Sequence, residues 1–361
     1  MKTRKYFLQT GLFLLAQLLV FMQTGAQEEN AKYVFPDIPG RLTLLCDFHM
    51  HSVYSDGLVW PTVRVKEALN EGLDAIALTE HIEYRPHHED LPGGHNRSWE
   101  IINDYLGDKD LILIHGAEIT RSMPPGHFNA YFIEDANALD TPEWQDAIKA
   151  AIDQGAFVIW NHPGWRQPDE IPIWYAEHSW LLDKGWLKGI ELVNENSFYP
   201  LTMAWALDSG LTMFGNSDIH DPVDMFFDRS KGEHRPLTLV FTTERSVQGI
   251  RQAFIERQTA IYFKDKLIGS EDLLLPLFQE SVQLRVADAK PGGGPRGLIV
   301  DNKSSAPFYV KHYDEQGKLS EEIYFAPLSS TGIDPGSIMP GGKWLIENII
   351  IGPRKSLVVN L

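Results

Sequence analysis

The stretch LLCDFHMHSVYSDG (Leu44–Gly57) sets Asp47, His49, His51 and Asp56 directly after an apolar run. Imidazoles and carboxylates so placed either move protons or bind metal ions. Residues i and i+2 of a strand share a face, so His49 and His51 point the same way. Asp218 and His220, in NSDIHD, have the same spacing. Either pair can hold one ion or span two. Further groups of this kind lie at Thr79-Glu80-His81, at Gly116-Ala117-Glu118, at His127 and at Asn161-His162-Pro163-Gly164. A lone His-x-His is a weak signal. Its recurrence at the ends of apolar runs is strong, because packing gives no reason to put polar residues repeatedly at those ends. Imidazole with carboxylate, without thiolate, is the ligand chemistry of zinc, manganese or iron rather than of a cysteine-rich structural zinc site.

The runs read as strands: Leu42–Phe48, Leu73–Thr79, Leu111–Ala117, His127–Ile133, Ala156–Asn161, Leu187–Asn194, Leu211–Asn216 and Ala260–Phe263. Helices are expected over Pro61–Asn70, opened by proline and closed by Gly72, and over Thr141–Asp153 and Ser246–Arg257. Near-continuous apolar strands separated by helices predict a parallel sheet covered on both faces, closed or nearly closed as an α/β barrel. In such barrels the carboxyl ends of the strands converge on the active-site face. Most of the ligand-type residues fall there. His127 opens its segment instead, so that strand runs antiparallel or starts at the rim. From about Leu273 the pattern changes to short strands with Gly- and Pro-rich turns, predicting an all-β, sandwich-like module over 273–361 after a barrel over 31–270. Lys290–Arg296 (KPGGGPR) reads as a loop.

The chain begins with a basic Lys2/Arg4/Lys5 region, an apolar Gly11–Met22 run and a small-residue Thr24-Gly25-Ala26 site. This is the pattern of a secretory signal peptide over 1–26, giving an exported protein, periplasmic or secreted, with no stable membrane anchor after cleavage. The chain carries 32 Lys and Arg against 49 Asp and Glu, a net charge of −17. That excludes a nonspecific nucleic-acid groove, which needs an excess of cations. A single cysteine, Cys46, excludes an intrachain disulfide and, inside an apolar run, reads as a buried thiol.

The ordered set DFHMHSVYSDG, LTEHIEYR, GAEIT, WNHPGW and NSDIHD resembles the PHP (polymerase and histidinol phosphatase) superfamily of metal-dependent phosphoesterases, over roughly Leu42 to Phe263. In layout the chain is most similar to the exported Sb-PDE-type phosphodiesterases of that superfamily. The resemblance implies a distorted (β/α)7 TIM-like barrel with two or three divalent ions (Zn, Mn or Fe). It implies that His49, His51, Glu118 and Asp218 hold a first ion. Glu118 would bridge to a second held by His127 and His162, and Asp56, His81 and His220 would hold a third. Asp47 is expected to orient a ligand histidine.

The expected reaction is hydrolysis of a small-molecule phosphoester, a diester before a monoester, by a water activated on the ions. Arg121, Arg166 and Arg85 each follow a motif closely enough to bind phosphate, and Arg121 is the first choice. Trp160, Trp165, Trp174, Trp180 and Trp186 crowd a short region and read mostly as core, and Trp165, in a rim loop, could instead stack on an aryl or nucleobase group of the substrate. His87, His88 and His95 read as solvated loop residues. The rival readings are an amidohydrolase, which also opens on His-x-His, and a metal- or ligand-binding module without catalysis.

Overall fold

The computed structural model describes residues 32–228, 231–286, 297–333 and 342–360. The expected signal peptide over 1–26 and the expected loop at Lys290–Arg296 lie outside the described residues. Residues Tyr33–Leu361 form one compact unit.

The barrel strands are β1 (Leu42–Asp47), β2 (Ala75–Leu78), β3 (Ile112–Ile119), β4 (Phe128–Tyr131), β5 (Phe157–Trp160), β6 (Leu187–Asn194), β7 (Ser197–Phe198), β8 (Thr212–Asn216), β9 (Leu237–Thr242), β10 (Thr259–Phe263) and β11 (Lys266–Gly269). They hydrogen-bond in the order β11-β10-β9-β1-β2-β3-β4-β5-β6-β7, with β8 also on β6. The β1–β2, β2–β3, β5–β6 and β6–β8 pairs are parallel. The sheet is mixed rather than all-parallel as the apolar runs predicted. β4 is antiparallel to both neighbours, and β9 is antiparallel to β1 and β10. Fully buried strands read as apolar in either direction, so composition does not fix polarity. The free edge of β8 meets β9 through Thr238 Oγ1, which bonds Gly215 N and O at 3.1 and 2.9 Å and nearly closes the ring.

Helices cover the sheet: α1 (Pro61–Glu71), α2 (Arg97–Leu106), α3 (Trp144–Asp153), α4 (Ala176–Asp183), α5 (Pro200–Ser209), α6 (Val223–Phe226), α7 (Val247–Ile255) and α8 (Glu271–Ser281). Pro61 opens α1, and Gly72, at φ 76°, ends it by donating to Ala68 and Leu69 carbonyls. Its buried face is Pro61, Arg64, Val65, Ala68 and Glu71, the spacing of one helical stripe with an arginine and a glutamate inside it. Ser246 caps α7 by accepting from Gly249 N at 2.9 Å. Beneath the sheet Phe48, Tyr131, Phe157 and Phe214 gather around Phe254, largely edge to face.

The C-terminal strands are β12 (Val282–Val286), β13 (Leu298–Asn302), β14 (Phe308–Tyr313), β15 (Leu319–Phe325), β16 (Ser329–Ile333), β17 (Lys343–Gly352) and β18 (Lys355–Val359). β12, β13 and β16 form a small antiparallel sheet. The others continue the barrel sheet, because β17 pairs in parallel with β11. The α8 helix spans the junction that composition marked near Leu273. Among the described residues, no helix is long and apolar enough to cross a membrane.

Candidate metal centre

Neighbouring loops are knitted edge to edge where the ligand-type residues lie. After β1, Met50 bridges Ile219 in parallel, and His51 N bonds Ile219 O at 3.1 Å. His81 bridges Glu118 in the same way. Asn161 N bonds His127 O at 3.0 Å. Residues far apart in sequence thus become lateral neighbours on one rim.

All nine metal-ligand candidates from the sequence meet there. The groups whose donor atoms all lie within 4.8 Å of one another are His51/Asp56/His81/His220, His49/Glu118/His162, His49/His51/Asp218 and His81/Glu118/His127. Asp218 Oδ1 is 3.1 Å from His49 Nε2 and 3.0 Å from His51 Nε2. Glu118 reaches five rings: Oε2 is 2.5 Å from His81 Nδ1 and 3.6 Å from His51 Nε2, and Oε1 is 3.1 Å from His127 Nδ1, 3.3 Å from His162 Nε2 and 3.4 Å from His49 Nε2. Asp56 Oδ1 lies 3.1 Å from His220 Nε2 and 3.4 Å from His81 Nε2. The grouping differs in detail from the one the family resemblance implies, since His51 also joins the Asp56 set.

These atoms pass a direct test of fit for a cation. His49 Nε2, His51 Nε2, His162 Nδ1, Asp56 Oδ1, Glu118 Oε2 and Asp218 Oδ1 are all shut from solvent and make no hydrogen bond. Buried polar atoms are seldom left unsatisfied, and six in one cluster call for an ion. The donor set, imidazole and carboxylate only, fits divalent first-row cations.

Hydrogen bonds on the far side of each ring set which nitrogen faces inward. His49 Nδ1 is bonded to Glu191 Oε1 at 2.9 Å, His51 Nδ1 to Ser55 Oγ at 3.0 Å, and His220 Nδ1 to the Asp218 carbonyl at 2.7 Å. Each ring then turns Nε2 to the cluster. Ser55 in turn donates to Glu80 at 2.6 Å. Glu191, fully buried, accepts four donors: His49 Nδ1 and Asn216 Nδ2 (3.0 Å) on one oxygen, His162 N (2.8 Å) and Asn194 Nδ2 (2.9 Å) on the other. Arg64, equally buried, donates to the carbonyls of His51 (2.9 Å), Ile219 (3.0 Å), His220 (2.8 Å) and Asp221 (2.8 Å), tying the two ligand turns together.

The charges are strongly coupled. Burial pushes the Glu118 carboxyl up, but His81, His127 and His49 hold it well below its ordinary value. Asp218 is held down against burial by His49 and His51. Burial lowers His81, yet Glu118 and Asp56 raise it to about 10, and Asp56 and Asp218 likewise raise His220 to about 9. Burial, with His81 and His220 beside it, drops His51 to about 3.

Two sequence assignments change. Asp47 is not the partner of a ligand ring. Its carboxylate bonds Ser217 N at 3.1 Å, the Ser217 hydroxyl and Arg235 Nη1 at 2.9 Å, while Glu191 takes the His49 ring. Arg121 is already engaged: it pairs with Glu83 at 2.7 Å and donates to the Thr141 and Pro142 carbonyls at 2.6 and 2.9 Å. Arg85 donates to the Tyr54 and Gly93 carbonyls, and His95 faces Asp140 at 3.5 Å. Glu191, Arg64 and the Ser55–Glu80 pair were not singled out from the sequence. A charged residue inside the apolar run GIELV, and an arginine on the apolar stripe of α1, were the available signals.

Two clefts open on the cluster. One, ≈320 Å³, runs toward Glu195 and Tyr199. The other, ≈600 Å³, runs toward Tyr84 and Met123. Asp56, His81, His127, Trp165 and Arg166 line both.

No family model and no curated protein matches the chain. Among solved structures, it is similar to a two-domain protein from Bacteroides vulgatus containing a predicted PHP-like metal-dependent phosphoesterase, at 43% identity and TM-score 0.85, over 93% of this chain and 99% of that one. Lesser overlaps are with a candidate metal-dependent phosphoesterase from Bifidobacterium adolescentis (17% identity, TM-score 0.38, 48% of this chain and 87% of that one) and with histidinol phosphate phosphatase from Lactococcus lactis (14%, 0.31, 59% and 93%). These two are too distant to bear on function. A barrel with a buried histidine–carboxylate cluster on one rim defines a metallohydrolase-type protein. At that identity over nearly the whole of both chains, it belongs to the PHP-like metal-dependent phosphoesterase family.

Proposed function

We propose that the protein hydrolyses phosphoesters, and small-molecule phosphodiesters in particular. The observation that carries the diester reading is the pair of clefts sharing one wall at the cluster. A phosphodiester has a substituent on each side of phosphorus and needs two such spaces, whereas a monoester needs one.

Divalent ions held by the nine ligands would supply an acidified water and positive charge at the phosphoryl oxygens. The chain's own part is positioning. Glu191, Ser55 and the Asp218 carbonyl fix three rings with Nε2 inward. Arg64 holds the two ligand turns in register. Trp165 and Tyr199 wall the narrower cleft and limit bulk water. In the balance of the reaction, the water oxygen joins phosphorus, one ester P–O bond breaks, and a water proton leaves with the alcohol. Cys46 is no nucleophile: it is fully buried, and burial together with Asp74 pushes its thiol up.

The net charge of −17 supports a small substrate over nucleic acid. The leader-like opening supports an exported enzyme, and the β-rich tail reads as a buttress to the barrel.

The test is turnover of bis(p-nitrophenyl) phosphate and p-nitrophenyl phosphate side by side, with metal measured in the same sample. His49→Ala plus His51→Ala is the control. Faster diester turnover, lost with the metal in the double variant, supports the proposal. A monoester preference moves the substrate class, and metal-loaded protein inert to both esters removes it.

A further inference from the structure

Besides Arg64, which is spent on the ligand-turn carbonyls, three arginines closely follow ligand motifs, and their side chains are committed very differently. Arg121 is consumed by Glu83 and two carbonyls, and Arg85 by two carbonyls. Arg166 has no hydrogen bond or ion pair from its guanidinium among the described residues. It is nevertheless not adrift. Its guanidinium carbon lies 4.3 Å over the Trp165 ring. That ring is itself packed 4.6 Å from His127 and 5.5 Å from His162, two of the ligand candidates. One indole therefore separates the uncommitted charge from the metal centre.

The backbone keeps Arg166 in place. Trp165 N bonds His162 O at 2.9 Å and Gln167 N bonds Gly164 O at 3.1 Å, so the segment turns tightly after the ligand. Gly164 is pressed so closely that a Cβ there would sit 2.3 Å from the Glu170 carbonyl and 2.4 Å from the Tyr199 ring. Arg166 itself adopts φ 55°, a left-handed conformation uncommon for any residue but glycine or asparagine. Such outliers persist where surrounding structure enforces them, often at functional sites.

Resting on the phosphoesterase reading, we propose that Arg166 is the residue that grips the substrate's phosphoryl group, reaching it from the junction of the two clefts with Trp165 as its platform. A guanidinium presents a planar fork of donors that matches two phosphoryl oxygens, and stacking on an indole pre-orients that fork. Its position on the wall shared by both clefts puts it beside phosphorus, whichever substituent occupies either arm. Trp165 is then a support for the arginine, not a free face for a substrate ring.

The experiment uses the full metal-loaded protein with inorganic phosphate as probe, followed by calorimetry, and with bis(p-nitrophenyl) phosphate as substrate. Arg166→Gly removes the charge and accepts the left-handed backbone. It is expected to weaken phosphate binding by ~10- to 100-fold, the range for losing a hydrogen bond to a charged group, with metal content unchanged. KM should rise more than kcat falls. Arg166→Lys, which keeps charge but loses the fork, should recover part of the affinity. Arg121→Ala should leave the phosphate dissociation constant unaltered. If the glycine variant loses metal, Arg166→Gln is read in its place. Phosphate affinity and KM equal to wild type in the neutral variant would overturn the assignment. Phosphate binding that depends on Arg166 in a protein inert to every ester would keep it and sink the phosphoesterase reading. Ester hydrolysis indifferent to Arg166 would do the reverse.

Discussion

Glu191→Gln tests the positioning argument with one atom changed. The carboxylate is fully buried and accepts from His49 Nδ1, Asn216 Nδ2, His162 N and Asn194 Nδ2, at 2.8–3.0 Å. A glutamine of the same shape offers one acceptor oxygen and one NH2 group, so two of the four donors would face another donor. Asn216 is not free to turn its amide, because its oxygen already accepts from Phe48 N at 3.1 Å. His162 contributes a main-chain amide, which cannot invert. His49 can adapt only by moving its proton to Nε2, the atom that faces Glu118 and Asp218 at 3.4 and 3.1 Å. Each stranded donor costs about 1–3 kcal/mol, so two cost about 2–6 kcal/mol. That is a large share of the ~5–15 kcal/mol that holds a domain folded. The His49 tautomer change also removes a ligand atom, and loss of a ring-orienting partner typically costs ~10- to 100-fold in metal affinity. Urea unfolding of metal-free protein reads the first effect, and metal content after dialysis against buffered Zn2+ or Mn2+ reads the second. A variant with wild-type unfolding midpoint and wild-type metal affinity would refute the reasoning.

Two further outcomes follow from the same geometry. In Gly57→Ala the new Cβ would lie 2.6 Å from the His51 carbonyl carbon and 2.7 Å from Ser52 N, both backbone, so the His-x-His turn must shift. Overpacking of this kind costs about 1–3 kcal/mol, and metal binding should weaken with it; retained metal and unchanged melting would count against the tight turn. The pH response of stability should change sign with metal. In metal-free protein His81 and His220 have folded-state values of about 10 and about 9 against an ordinary 6.5, so their stabilisation is complete below 6.5 and is lost as pH rises through 9 and 10. Ions need these rings deprotonated, so metal-loaded protein should gain over the same interval. Thermal midpoints of chelated and loaded protein, measured in parallel, should diverge with rising pH, and parallel curves would exclude the coupling.

Most of the ligand candidates were legible because they sit where packing gives no reason for a polar residue, at the end of an apolar run. The direction of β4 was legible only as a choice, since His127 at the head of its segment fits either polarity until the partner strands are known. Glu191 was hidden because three of its four partners, His49, His162 and Asn216, come from other segments. Arg121 and Arg166 show the same limit. Both stand within four residues of a ligand, and spacing cannot reveal that Glu83, from another loop, has already taken one of them. The C-terminal strands were visible as strands, but the pairing of β17 with β11 depends on contacts that leave no local pattern.

The distribution of buried charge explains why, among the described residues, this rim is made for a cation. Asp47 and Glu71 are neutralised by Arg235, at 2.9 and 2.8 Å. Glu80 is satisfied by the Ser52 amide and the hydroxyls of Ser52 and Ser55, and Glu191 by its four donors. Arg64 is spent on carbonyls and on Glu67. Every carboxylate that shapes the site from behind therefore has partners within the chain. Glu118, Asp218 and Asp56 differ: apart from single amide donors, Asn161 to Glu118 at 2.8 Å and Asn194 to Asp218 at 3.3 Å, they face histidine rings, and each leaves one oxygen orphaned. With the rings neutral, three carboxylates would be packed together without countercharge, a cost of several kcal/mol per buried ion on the order expected for uncompensated burial. Proton uptake by His81 and His220 relieves this in the absence of metal, and divalent ions relieve it while freeing the same nitrogens to coordinate. Protons and metal ions thus compete for one set of atoms, and the chain withholds its own arginines from that set. Arg166, a guanidinium left uncommitted beside the rim, stands one ring outside the cluster, where it can meet an anion without neutralising the carboxylates that hold the ions.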